Sequence, residues 1–367
     1  MPRLAHILIR MKLSTTSIFV LFLFVGCSKA PVTDNSLLGY GPFEVKVAVS
    51  PETVERAQTM QQAVALLTAK DYPNLDALAA KLRKSQDAYA NGNWKLEDFY
   101  AALDLSEEAT GTEWQEKLKS LRDWVKASPD SITARVALAD VMVSYAWTAR
   151  SNSWSGPITE EASNLLQQRL QEAITVLAEA KPLPEHCPHW HSVNLIAALG
   201  LQVERSKFDQ LFKEAIQSQP AYSGYYTRRA YFLLPQWYGK EGEWESDLKS
   251  SADELGGEAG DLLYARVVWR MHARQFYDNV FHQTQLSWPR VEKGFEVMLK
   301  SFPNSLSAKS ERAYLAALAL DYPKARKYFD ELQGQADLTV WRTTDMFKSV
   351  ARSVYANSTG AVTEAPK

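Results

Sequence analysis

The chain has 367 residues, with Lys+Arg 41 against Asp+Glu 43 and a formal net charge of -2. That balance offers no basic field to hold phosphates, so nucleic acid is excluded as an expected partner. Of the 2 cysteines, Cys27 sits in an N-terminal leader and Cys187 is left alone, so no internal disulfide is expected and stability must come from packing. The 11 Trp, 16 Tyr and 14 Phe supply large apolar area for it.

The apolar run from Ser17 to Gly26 follows basic residues. It is far shorter than the ~20 residues a helix needs to cross a bilayer, so it reads as the core of a signal peptide. Gly26-Cys27 resembles a lipobox, in which the thiol receives a diacylglycerol and the chain is cut just before it, although Phe24 stands where Leu is usual. The expectation is a signal peptide over residues 1–26, a lipidated Cys27 and a tether to Pro42. Met11-Lys12 would itself open a typical signal peptide, so Met1 and Met11 are alternative starts, with Met1 to Arg10 an upstream extension in the second case. An ordinary secretory signal ending near a cysteine is the other reading. Ser28 after the lipidated residue, in place of the Asp of inner-membrane retention, fits an outer-membrane anchor facing the periplasm.

Phe43, Val45, Val47 and Val49 alternate with polar or small residues, which is a strand pattern. No second such stretch stands out. This strand is expected to lie as an extended arm over the first helices or to pair with another molecule. From Pro51 onward the apolar period is helical. Ile132, Val136, Ala139, Val143 and Ala146 form one face, and Ala162, Leu166, Leu170, Ala173, Leu177 and Ala180 another. Pro or Gly at Tyr72-Pro73, Asn91-Gly92, Ser128-Pro129, Lys181-Pro182, Gln219-Pro220, Gly256-Gly257, Phe302-Pro303 and Tyr322-Pro323 punctuates these runs. Asp130-Ser131 and Asn304-Ser305 are suited to cap the helices that follow.

Three similar stretches end at Pro129, Pro220 and Pro303. Their spacing is no multiple of the tetratricopeptide period of about 34, which rules out a regular array. Asp321-Tyr322 with Ala325 and Phe329 still resembles part of such a unit. The expected fold is all-α: an irregular, tetratricopeptide-like solenoid of helical hairpins with one short N-terminal strand or arm. It divides into an arm and first helices over residues 43–92, a helical domain over 93–356 and a disordered tail over 357–367.

Thr133-Ala134-Arg135-Val136-Ala137-Leu138-Ala139, Cys187-Pro188-His189-Trp190, Leu233-Leu234-Pro235-Gln236-Trp237-Tyr238-Gly239 and Gly260-Asp261-Leu262-Leu263-Tyr264-Ala265-Arg266 resemble segments of the bacterial domain-of-unknown-function family four-zero-three-four. The resemblance runs from about Trp94 to Trp341. It implies a helical, tetratricopeptide-like domain and no catalytic residues.

Three constellations bear on function. His186, Cys187, His189 and His191 gather imidazoles beside the free thiol, a set suited to Zn or Cu. Pro188 at a first helical position would place His189 and His191 about 200° apart on the helix, which favours a structural loop with a buried thiol, so no metal or other cofactor is called for. Ten aromatic residues lie between Tyr222 and Trp269. Pro235 and Gly239 keep Gln236 to Gly242 out of a helix, so Trp237, Tyr238 and Trp244 are candidate ligand anchors, with Glu243 beside them and Arg228, Arg229 and Arg266 as carboxylate-binding groups. Alternatively the rings plug the hairpin ends and the arginines pair with Glu241, Glu243 or Asp261. Glu245-Ser246 resembles the Glu-Ser pair of soluble lytic transglycosylases, but Asp247-Leu248-Lys249-Ser250 stands where that family has Gly-Leu-Met-Gln. The expected protein is therefore a non-enzymatic, lipid-anchored envelope scaffold for a peptide or protein partner. The alternative is a binder or lyase of cell-wall glycan using Glu243 or Glu245.

Overall fold

The computed structural model describes residues 43–89, 93–151, 159–276 and 279–358. The expected leader, Cys27, the tether and nearly all of the expected tail lie outside them. Among the described residues the protein is all-α, with sixteen helices and one two-stranded sheet. No described helix is long and apolar enough to cross a membrane.

The N-terminal part is β1 (Lys46–Ala48), α1 (Pro51–Thr68), α2 (Tyr72–Ser85), α3 (Lys95–Leu103) and α4 (Gly111–Ala127). The middle is α5 (Ile132–Ser151), α6 (Glu160–Ala180), α7 (Pro188–Gly200), α8 (Arg205–Ser218), α9 (Gly224–Phe232) and α10 (Glu243–Leu255). The C-terminal part is α11 (Gly257–Gln275), α12 (Trp288–Ser301), α13 (Leu306–Leu318), α14 (Tyr322–Leu332), β2 (Gln335–Asp337), α15 (Leu338–Trp341) and α16 (Thr344–Ser358). The last helix runs two residues beyond the expected domain end at 356.

Local chemistry accounts for many of the boundaries. The Ser131 hydroxyl accepts the Ala134 amide at 2.9 Å, and Ser305 accepts the Ala308 amide at 3.2 Å, so both expected caps form. Thr110 and Glu113 exchange bonds in a capping box at the start of α4. The α1–α2 and α13–α14 connections share one turn: Lys70 and Leu320 take positive φ of 56° and 59°, and Asp71 and Asp321 then cap a helix that begins Tyr-Pro.

Tertiary packing sorts the helices into two layers. Along α3, α5, α7, α9 and α11 each helix touches the next of that series, while α4, α6, α8, α10 and α12 pack on their sequence neighbours outside it. This is solenoid packing of hairpins. One buried cluster gathers residues from α1 to α7 and a second gathers Trp94, at the start of α3, with residues from α7 to α16. They share α7, where Val193 and Ala197 face the first and Leu195, Ala198 and Leu199 the second. A helix apolar on nearly every side is what a position between two cores requires.

The N-terminal strand corrects the sequence expectation. Within the chain β1 pairs in parallel with β2, with Lys46, Val47 and Ala48 opposite Gln335, Ala336 and Asp337. The two ends of the helical path are thereby brought together. The signal was missed because β2 is only three residues long and too short for alternation to be read. The Lys46 amide also bonds the Gly334 carbonyl at 2.9 Å. Gly334 has φ +78°, and a Cβ there would strike the Glu44 carbonyl. Gly334→Ala is expected to destabilise the fold by more than the ~1 kcal/mol that Gly→Ala gains at compatible sites and to release the strand pair. Hydrogen exchange at the Lys46 amide should accelerate while the amides of α7 stay protected. Unchanged exchange at Lys46 would show that the pairing does not depend on this turn.

Candidate interior anion site

The helices that touch in series carry polar groups where a solenoid ordinarily buries its seam. Arg266, Arg270 and Arg274 repeat at steps of four and form one stripe along α11. Arg228 on α9 joins them, since Arg274 and Arg270 both fall within its electrostatic reach. Glu97 on α3 approaches from the N-terminal half and accepts an Arg270 Nη2–H bond at 2.7 Å, while Asn93 Oδ1 accepts another from the same nitrogen at 2.6 Å. All four arginines sense Glu97.

The remaining acids are separated or engaged elsewhere. The Asp140 carboxylate shares a hydrogen bond with His189 Nε2 at 3.0 Å, and His189 Nδ1 meets the Tyr222 hydroxyl at 2.8 Å. Glu311 on α13 lies within electrostatic reach of Arg266 and Arg270 but forms an ion pair with neither. Arg228 and Arg266 themselves make no hydrogen bond or ion pair with any described residue, and the Arg266 Nε is buried without a partner. Burial, followed by the charge of Arg270, pulls the Arg266 pKa down to about 10. Burial, followed by Arg228 and Arg270, pulls Arg274 to about 9. Arg228, Arg266 and Arg274 are nonetheless only half-buried by surface. These side chains, surrounded by protein yet keeping accessible surface, form a half-buried cluster of guanidiniums. Its positive charge exceeds what Glu97 supplies, and an anion that completed it would gain charge-assisted bonds in a low-dielectric setting.

The sequence candidates divide on this geometry. Arg228 and Arg266 each lie within electrostatic reach of Glu97 and Arg270. Arg229 does not join them: it donates to Asp247 at 3.1 Å and to Asp209, both on neighbouring helices. Glu243 accepts from Arg205 at 2.8 Å and from the Lys240 amide at 2.9 Å, which ties down the start of α10. Trp244 is 2% exposed and stacks on Phe276, so it belongs to the core. Tyr238 stacks on Phe232 at 4.6 Å. Trp237 is half-buried between Trp147 and Tyr231, with the Arg150 guanidinium 5.1 Å above its ring. Tyr231 is also within reach of Arg274, so Trp237 stands at the margin of the arginine cluster. The loop from Leu233 to Gly242 is non-helical, as Pro235 and Gly239 foretold, and Gly239 is required there because a Cβ would overlap the Leu233 carbonyl. Arg270 and Arg274 are the functional candidates that sequence reading passed over, although their four-residue spacing from Arg266 was visible.

The histidine and cysteine set does not converge. Cys187 is buried and its thiol meets the Tyr100 hydroxyl at 3.2 Å, His186 is exposed, and His189 is turned toward Asp140 and Tyr222. Among the described residues no cluster of three such groups is arranged to hold a metal. Glu245 is 7% exposed, with one carboxylate oxygen lacking a partner and its pKa raised chiefly by burial. Glu243 is tied to Arg205, and no hydrogen bond joins it to Glu245.

Two histidines make stability depend on pH. Burial lowers the His191 and His272 pKa values to about 4. A depressed base is bound neutral in the fold, so its stabilising contribution is full above the unfolded value of about 6.5 and is lost as pH falls toward 4. For His272, 4% exposed, the loss between pH 7 and pH 5 should be roughly 2 kcal/mol, from 1.36 kcal/mol per unit. Urea midpoints of wild type and His272→Gln at both pH values test this. Equal pH sensitivity of the two proteins would refute it.

Comparison of the chain with protein-family models, with curated proteins and with solved structures gives no match.

Proposed function

We propose that the protein is a lipid-anchored envelope scaffold whose helical interior holds a carboxylate-bearing peptide or protein segment. The observation that carries this reading is that Arg228 and Arg266 have no hydrogen-bond or ion-pair partner among the described residues, in a cluster where Arg270 takes Glu97. Half-buried guanidiniums without a protein partner keep N–H donors free for charge-assisted bonds to a carboxylate. Trp237 at the margin offers a ring face of the kind that concentrates interface energy. The anchor rests on the leader and Gly26-Cys27. Cys27→Ala should abolish incorporation of a clickable fatty acid and release the protein from the membrane fraction.

The binding reading is tested with N-acetyl-trialanine as the free acid and as the amide. The acid should bind wild type and bind Arg266→Gln at least tenfold more weakly, whereas the amide should not bind. Equal behaviour of acid and amide, or an Arg266→Gln protein that binds the acid as wild type does, would overturn it.

A further inference from the structure

A recess of about 190 Å³ opens between α4 and α6, both of which pack on α5. Three helical stripes converge on it. Leu118 and Arg122 of α4, one turn apart, form one wall. Leu165, Arg169 and Glu172 of α6, at steps of four and three, form the other. Met142 and Tyr145 of α5 lie between them as the floor. Leu118 and Met142 are buried and Leu165 is 36% exposed, so apolar surface extends from the base of the recess to its rim. Its two basic groups are held differently. Arg169 donates to the Tyr145 carbonyl at 3.0 Å, and its guanidinium lies 3.5 Å from the centroid of the Tyr145 ring, which stacks with Trp114 at 5.3 Å. Among the described residues it makes no other hydrogen bond, so a group fixed in place keeps N–H donors to offer. Arg122, exposed on the facing wall, makes no hydrogen bond or ion pair with any described residue. Glu172 accepts from Gln168 at 3.2 Å and is within electrostatic reach of Arg169.

Two cations against one acid leave this lining with one positive charge in excess. A single carboxylate balances it, whereas a dianion would bring its second charge up against Glu172. The volume sets the size: a cavity of about 150 Å³ accommodates benzene, so this one takes a group of roughly seven heavy atoms. Guanidiniums on facing walls suit the two oxygens of a carboxylate, and Leu118, Met142 and Leu165 suit a branched hydrocarbon chain. We propose that the recess between α4 and α6 binds an aliphatic monocarboxylate of that size, its carboxylate between Arg122 and Arg169 and its hydrocarbon on Leu118 and Met142. A free short-chain acid and the apolar C-terminal residue of a peptide both present this chemistry. The site is independent of the carboxylate reading above, since it shares no residue with the arginines of α9 and α11.

The NMR signal of the Met142 methyl, carbon-13 labelled and assigned through Met142→Leu, reports occupancy of this recess and not of the arginine cluster. Titration with 4-methylpentanoate should shift it saturably, and 4-methylpentanamide should leave it in place. Arg122→Gln should weaken the acid by about tenfold, the loss of one charge-assisted bond, with an unchanged melting temperature because Arg122 is exposed and unpaired among the described residues. N-acetyl-leucine supplies the peptide terminus: whichever of it and 4-methylpentanoate binds more tightly identifies the source, and either supports the site. Inorganic phosphate should bind more weakly than both, and Arg266→Gln should leave the titration as in wild type. Equal shifts by acid and amide, no saturable shift with either acid, phosphate binding as tightly as the acids, or an Arg122→Gln protein that matches wild type would overturn the site. Loss of the titration in Arg266→Gln but not in Arg122→Gln would place the acid on α11 and overturn it as well.

Discussion

Glu97→Gln is expected to cost about 3 to 5 kcal/mol, the usual penalty for removing one partner from a buried charged network. Glu97 accepts from Arg270 at 2.7 Å, and Arg228, Arg266 and Arg274 all sense its charge. The isosteric amide keeps the volume and withdraws the acid that, among the described residues, all four sense. A purely structural ion pair and a ligand site predict the same loss in dilute buffer, but they separate on addition of anions. In the site, phosphate or acetate at tens of millimolar should raise the melting temperature of Glu97→Gln more than that of wild type. Thermal unfolding with and without the anion checks both parts. A variant as stable as wild type, or one with no extra response to anions, would show that the arginines are balanced by other groups.

Trp244→Ala is expected to destabilise the fold by about 3 to 5 kcal/mol, as truncation of a buried aromatic side chain does. The indole is 2% exposed, stacks on Phe276 and sits in the cluster that joins α9, α10 and α11. Trp237→Ala should cost less, because its ring is half-buried and one contact is the cation Arg150. The two tryptophans lie seven positions apart on and beside one loop, and in the sequence they are equivalent anchors. Chemical denaturation of both variants distinguishes them. Equal losses would mean that Trp237 is as much a core residue as Trp244.

The same contrast runs through the arginines. Arg228 and Arg229 are consecutive, so on a helix they point about 100° apart and cannot share an environment. One meets Asp209 and Asp247, and the other faces the interior unpaired. Nothing in the local sequence states which is which, because the deciding acids lie on α8 and α10 and their placement follows from how the hairpins stack. The acids expected to pair with the arginines were the wrong ones for the same reason: Glu243 went to Arg205 and Asp261 to Arg290.

What the chain's own order of residues determined is the all-α class, the helix boundaries and the caps at Ser131 and Ser305. These depend on periodicity, on proline's missing donor and on side-chain oxygens within one turn, all of which act over a few neighbours. Only the tertiary structure decided that β1 has a partner, since that partner is a three-residue strand near the other end of the chain. It alone decided that Arg270 of α11 meets Glu97 of α3, while Arg228 of α9 and Arg266 of α11 stay unpaired among the described residues. Such long-range meetings are set by the summed geometry of many packed helix pairs, each of which shifts where the next helix lies. Charges brought together that way leave no local pattern by which they could be read in advance.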